Sequence, residues 1–413
     1  MDLTTYRAPA PDPAHAEPRR APRLVGAAWT LLVINTLGSQ GAITVVQIPR
    51  SVTQIVTMGA LLAAFGLALL LNLRVQLRPS TYLLLLTLLV VVSIASSAQL
   101  ESGFGAFFRC ARFAVFVATL WLLTRWWHDG LSLVRHHIRA IGAVLLTVAA
   151  GLMIAPGKAL PESYGGRLVG AIWPMTPPQV GQYAATVIGL TILLWLGNRT
   201  TRSSLLFVAA PALALLLLSH TRTAAIALVG GLVVALLSLT SNSARARKVF
   251  TRAAMVAGLA AVFLGPVVQA WLRRGQDDES LSDLTGRQKV WDALLAAPRT
   301  TSEQLFGVGL TNKSYGGLPI DSSWLAVYHE QGFVGLAIVV AFLATLLVVA
   351  ALRPPSLARA AALFLIVYCV VASYTEAGLG DASPYLLNLA VAAALLSTGA
   401  PAPEPATRPE VTA

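Results

Sequence analysis

Twelve apolar stretches, each long enough or nearly long enough to cross a lipid bilayer, constrain this chain more than any other feature of it. A transmembrane helix needs ~20 mostly apolar residues. The stretches run over 24–43, 52–73, 80–98, 107–127, 136–157, 178–198, 203–220, 222–240, 250–271, 331–352, 359–377 and 383–398. Only 12% of the 413 residues are charged and 56% are hydrophobic, with a mean hydropathy of +0.70. An average soluble domain is ~25% charged. These values exclude a soluble globule, a disordered chain and a disulfide-stapled one. They leave an all-α polytopic membrane helix bundle of about 12 transmembrane helices. Cys110 and Cys369 both lie in apolar runs and read as small core hydrophobes.

The net charge is +12. On a soluble protein that excess would point to nucleic acid, but here its placement along the chain argues for a membrane instead. With the N-terminus in the cytoplasm and twelve spans threaded, 18 basic and six acidic residues fall inside, and 12 of each fall outside. Every inside loop is basic, as the positive-inside rule requires. Merging the seventh and eighth spans through Ser219–Thr223 would strand Ser-Ala-Arg-Ala-Arg-Lys outside, so a tight turn is expected there. Both termini are then cytoplasmic. Residues 1–23 and 399–413 read as disordered tails, the first too rich in Pro, Ala and Arg for a cleavable signal. Spans one to nine occupy 24–271 and spans ten to twelve 331–398. The region 272–330 between them is expected as extracytoplasmic helices and loops lying over the bundle.

Charged residues near the outer rim are the informative ones, because a charge at membrane depth is costly and usually faces a cavity. Arg109 and Arg112 open the fourth span at i, i+3 spacing, on one face. Arg167 sits in a loop rich in Gly and Pro. Arg222 lies between two apolar helices with almost no loop, beside His220. Arg287 sits in Thr-Gly-Arg-Gln-Lys-Val-Trp, which ends at Trp291. Arginines converging from separate loops suit a multiply charged anion, since guanidinium forks bind phosphate oxygens bidentately. Asp321 is either a helix N-cap or a carboxylate able to take a proton from a sugar hydroxyl, with His329 and Glu330 as runners-up. Glu376 and Asp381, at the last outer turn, read as solvated. There is no metal-ligand spacing and no Walker loop, so neither a metal nor a nucleotide cofactor is expected.

The string Gly286-Arg287-x-x-x-Trp291, Phe306-Gly307-Val308-Gly309-Leu310, Asp321-Ser322-Ser323-Trp324-Leu325 and Glu330-x-Gly332-x-x-Gly335-Leu336 resembles the O-antigen ligase and polymerase family. Arg222 in Ser-x-Thr-Arg, and Arg167 in Arg-x-x-Gly followed by Pro-Pro and Gly-x-Tyr, resemble its upstream motifs. The likeness covers about residues 160–340. It implies a C-type glycosyltransferase-like bundle in the cytoplasmic (inner) membrane, acting at its outer face. Such a protein would move a glycan from an undecaprenyl diphosphate carrier to a sugar hydroxyl, without metal or nucleotide. Arg222 and Arg287 would hold the diphosphate, with Arg167 in support. Asp321-Ser322 stands where ligases usually carry histidine, which favours a polysaccharide polymerase over a ligase acting on lipid A core. The implied partners are the carrier-linked donor, a glycan or lipid-linked acceptor, membrane lipid, and proteins that set polymer length or export it. A lipid-linked glycan transporter or flippase would need polar residues along a path through the bilayer, and the mid-span regions are almost purely apolar. A non-catalytic scaffold in an envelope complex is the remaining alternative.

Overall fold

Apolar segments in a bilayer have no water to satisfy their backbone, so they close their own hydrogen bonds as helices. The computed structural model describes residues 21–38, 44–98, 103–127, 130–241, 243–263, 271, 287–311 and 313–397. Ten helices lead to the central region: α1 (Ala21–Asn35), α2 (Arg50–Leu71), α3 (Thr81–Ala98), α4 (Gly103–Leu123), α5 (Gly130–Ile154), the one-turn α6 (Pro156–Ala159), α7 (Pro177–Leu196), α8 (Arg202–Ser219), α9 (Arg222–Thr240) and α10 (Ala244–Phe263). Then come α11 (Arg287–Ala296), α12 (Thr301–Phe306), a two-stranded antiparallel hairpin of β1 (Ser314–Tyr315) and β2 (Leu318–Pro319), α13 (Ser323–Leu352), α14 (Leu357–Ala372) and α15 (Pro384–Ser397).

By length and composition, eight of these helices can cross a membrane: α2 to α5, α7, α8, α9 and α13. Shorter apolar helices occupy three further expected spans, at Arg23–Asn35, Leu357–Ala372 and Pro384–Ser397. The expected span 250–271 coincides with α10 only as far as Phe263, and most of the rest lies outside the described residues. So does 272–286, the first part of the expected outer region. The remainder of that region holds α11, α12 and the hairpin, a strand pair that the sequence did not signal.

Helix α7 is the centre of the bundle, with 16 of its 20 residues buried. Glycines let its neighbours close in. Gly189 faces the Phe364 ring of α14 so tightly that a Cβ would lie 2.0 Å from it. At the edge, α8 buries only four of its 18 residues and leaves Leu206, Phe207 and Leu217 outward. A helix apolar all round but exposed on one side is matched to lipid. By contrast α15, only 14 residues long, buries 12 of them. It is enclosed by other helices, and a buried Trp29–His137–Asn388 chain ties it to α1 and α5 (3.0 and 2.8 Å). Trp29 only donates, so His137 accepts at Nδ1 and presents its Nε2 proton to Asn388.

The seventh and eighth expected spans are indeed separate helices. His220 takes a left-handed conformation (φ 46°) and Thr221 is extended, so the chain reverses within two residues. Arg245, just past α9, bonds Asn198 and lies 4.4 Å over the Trp195 ring, so the chain has returned to the end where α7 stops. Arg78 is bonded to Thr124 at that same basic end (3.0 Å). The loops around Arg167, His220, Asp321 and Glu376 gather at the opposite end.

The start of α13 differs from expectation. The helix starts at Ser323 rather than 331, and Ser322, not Asp321, holds the N-cap position. Gly332 interrupts it with φ 66° and ψ −165°, a region essentially closed to other residues. The break frees the carbonyls of His329 and Glu330, which accept from the N–H groups of Val308 and Gly309 (both 2.9 Å). A Cβ on Gly332 would lie 2.3 Å from the Leu305 carbonyl oxygen. Backbone strain and this collision act together. Gly332→Ala is therefore expected to destabilise the protein by at least ~3 kcal/mol, read as a lowered thermal midpoint in detergent. A midpoint equal to wild type would contradict the account of the kink.

Candidate functional site

Two charged clusters lie at the end of the bundle opposite the basic loops. The first is built on the joint between α8 and α9. Thr221 Oγ1 donates to the Pro177 carbonyl at the start of α7 (3.0 Å), which fixes the turn. Arg167 Nε donates to the Ser219 carbonyl (3.1 Å), and its Nη2 lies 3.5 Å from Thr221 Oγ1. Arg287, the first residue of α11, donates from Nε to Asp321 Oδ2 (3.2 Å). Burial and the guanidinium groups of Arg287 and Arg222 hold Arg167 below its ordinary pKa, with Glu376 opposing them. The three arginines expected to act together are thus within each other's electrostatic reach.

Glu376 belongs to this cluster. It sits in the loop between α14 and α15, whose backbone is pinned to the start of α13. Ser323 Oγ donates to the Glu376 carbonyl (2.6 Å) and accepts from Gly378 N (2.8 Å). Burial and the neighbouring Asp321 carboxylate push Glu376 up to about 8, against the opposing pull of Arg287 and Arg167. Thr223 and Thr375 share a 2.6 Å bond beside it. Glu376 is therefore half-buried and largely protonated at neutral pH, not solvated as expected.

The second cluster is centred on Arg109. Its Nη1 bonds Glu330 Oε1 (3.0 Å) and its Nη2 bonds Asp381 Oδ2 (2.6 Å). Lys313 Nζ reaches Asp381 Oδ1 (3.2 Å), and Glu330 Oε1 also accepts from Thr311 Oγ1 and Lys313 N. Burial alone would raise Asp381, but Lys313, Arg109 and Arg112 hold it well below the usual carboxylate range. It too is buried rather than solvated. Arg112 donates from Nη2 to the Asn35 carbonyl (2.6 Å). Arg109 and Arg112 thus form a group of their own, apart from Arg167, Arg222 and Arg287.

The remaining expected residues have structural partners. His329 Nδ1 faces Arg299 Nη2 at 2.9 Å, and Arg299 also lies 4.7 Å over the Tyr328 ring. Guanidinium only donates, so Nδ1 accepts and the ring is neutral. His220 stacks on Trp271 with ring centroids 5.8 Å apart. Trp291 meets Tyr374 edge-on at 5.5 Å within a small apolar cluster that includes Leu294 and Ile320.

No protein-family model matches the sequence, and no curated protein does either.

The two carboxyls give different predictions. Asp381→Asn removes the charge facing Arg109 and Lys313, and breaking a buried pair costs about 3–5 kcal/mol, measurable as loss of thermal stability. For Glu376 the folded pKa lies above the ordinary 4.5, so the folded state binds the extra proton. Its stabilising contribution is full below pH 4.5 and is lost as pH rises through about 8. Glu376→Gln should therefore flatten the fall in thermal stability over that window. An unchanged slope would contradict the assignment.

Proposed function

We propose that this protein is a membrane glycosyltransferase that moves a glycan from undecaprenyl diphosphate to a sugar hydroxyl, acting as a polysaccharide polymerase. The observation that carries the reading is the coupled group of Arg167, Arg222 and Arg287, drawn from three separate stretches of chain. Three guanidinium groups there face the Asp321 carboxyl and a Glu376 whose pKa is raised by burial, so positive charge is in excess. A glycosyl polyprenyl diphosphate carries one negative charge on each phosphorus, which an excess of guanidinium groups suits. A proton on Glu376 strengthens the positive character of the site.

In this reading the donor's diphosphate draws the Arg287 guanidinium from Asp321. Asp321 then accepts the proton of the acceptor hydroxyl. The hydroxyl oxygen attacks the anomeric carbon from the face opposite the diphosphate. A new C–O bond forms, the anomeric C–O bond to phosphate breaks, and undecaprenyl diphosphate leaves with the bonding pair. The configuration inverts. Preorganised guanidinium groups stabilise the charge gathering on the leaving group. Glu330 suits the base role less well, because its side chain is 1% exposed against 39% for Asp321, and Arg299 already donates to His329 Nδ1. The reading places the arginine end of the bundle outside the cytoplasm, with twelve spans in a C-type glycosyltransferase-like arrangement and both termini cytoplasmic.

The test is transfer by purified protein in lipid nanodiscs, supplied with carrier-linked oligosaccharide and either a second carrier-linked unit or a lipid A core. Polymer on the carrier is expected. Arg222→Ala and Arg287→Ala should each reduce the rate by about 10²–10³-fold. Unchanged transfer by these variants, at wild-type protein levels, would contradict the proposal.

A further inference from the structure

The second cluster borders a cavity of about 540 Å³, lined in part by Arg50, Gln54, Arg112, Gln179, Lys313 and Asp381. Its cations are unequal. Arg109 and Lys313 are answered by Glu330 and Asp381. Arg50 and Arg112 are not ion-paired with any of the described residues. Arg112 spends Nη2 on the Asn35 carbonyl and is one of the residues lining the cavity. A guanidinium in a membrane-spanning helix usually faces a cavity or a ligand. Gln54 and Gln179 add amides able to bond hydroxyls. Phe108 and Met58 give the same cavity an apolar wall, and Phe108 is 41% exposed on the helix surface. Excess positive charge, amides and an apolar flank together match a phosphorylated glycolipid headgroup.

The cavity adjoins the first cluster without being part of it. Ala377, which lines the cavity, follows Glu376 directly, and Thr176, also on the wall, precedes the Pro177 whose carbonyl holds Thr221. The loop between α14 and α15 and the start of α7 thus serve both places.

We infer that this cavity is a second substrate site, in which Arg112 and Arg50 hold the phosphate of a glycolipid acceptor while the donor diphosphate occupies the Arg167, Arg222 and Arg287 group. The inference rests on the transferase reading above. The phosphate has two sources: a second carrier diphosphate, or the sugar phosphates of an acylated glycolipid.

The experiment measures initial rates in nanodiscs with donor and acceptor varied separately, for wild type, Arg112→Gln and Arg50→Gln. Arg50 is exposed at the start of α2, so its variant keeps the test decisive if Arg112→Gln fails to fold. The KM for the acceptor should rise about tenfold or more, with the KM for the donor unchanged. A rise confined to the carrier-linked acceptor assigns the carrier diphosphate, and one confined to the acylated glycolipid assigns the sugar phosphates. Acceptor KM values within twofold of wild type, or donor and acceptor KM rising together, would overturn the inference. Direct retention of acylated phosphoglycolipid and of undecaprenyl diphosphate separates this failure from that of the transferase reading. If wild type forms no glycosidic bond yet retains either lipid through Arg112, the site stands and the transferase reading falls. If retention is the same with and without Arg112, the site falls.

Discussion

Charge is expensive in a low-dielectric bundle, and that cost organises this protein. A guanidinium or carboxylate among apolar helices persists only where an opposite charge, a hydrogen-bonding backbone or a ligand compensates it. At the basic end, Arg78 lies in a loop and Arg245 in the first turn of α10. At the opposite end arginines are drawn inward. Arg109 is held by Glu330 and Asp381, and Arg167 by the Ser219 carbonyl and Thr221.

The helical scaffold explains how such charges come to lie together. The almost fully buried α7 provides a fixed end against which the turn at Thr221 is tied. The break at Gly332 lets the start of α13 leave the bundle's main direction while its freed carbonyls are bonded by Val308 and Gly309. Ser323, at that start, bonds Glu376 and Gly378 in the loop between α14 and α15. One end of the bundle thus becomes a rigid frame carrying two charged groups side by side. Within that frame most of the charged side chains are fixed by their partners, while the Arg287–Asp321 pair is half-exposed at its edge.

Much of this was legible in the sequence. Apolar run length located the helices, and the basic pattern separated α8 from α9 despite their two-residue joint. The convergence of Arg167, Arg222 and Arg287 followed from their shared place at loops of one end. What stayed hidden depended on contacts between distant segments. Glu376 and Asp381 look like ordinary loop acids, because nothing local announces that Asp321, Arg109 and Lys313 will pack against them. Arg109 and Arg112 share a helix face, yet one is consumed by ion pairs while the other bonds a backbone carbonyl and lines the cavity. Nothing local to His329 marks Arg299, 30 residues earlier, as the partner of its Nδ1. The Trp29–His137–Asn388 chain joins three helices far apart in sequence, with no motif to mark it.

The most direct test of the central claim is a cryo-EM map of the protein in a nanodisc with a glycosyl undecaprenyl diphosphate analogue that resists transfer. The account predicts diphosphate density within hydrogen-bonding distance of Arg167, Arg222 and Arg287, with the Arg287–Asp321 pair opened. Diphosphate density elsewhere, with those three arginines untouched, would contradict it.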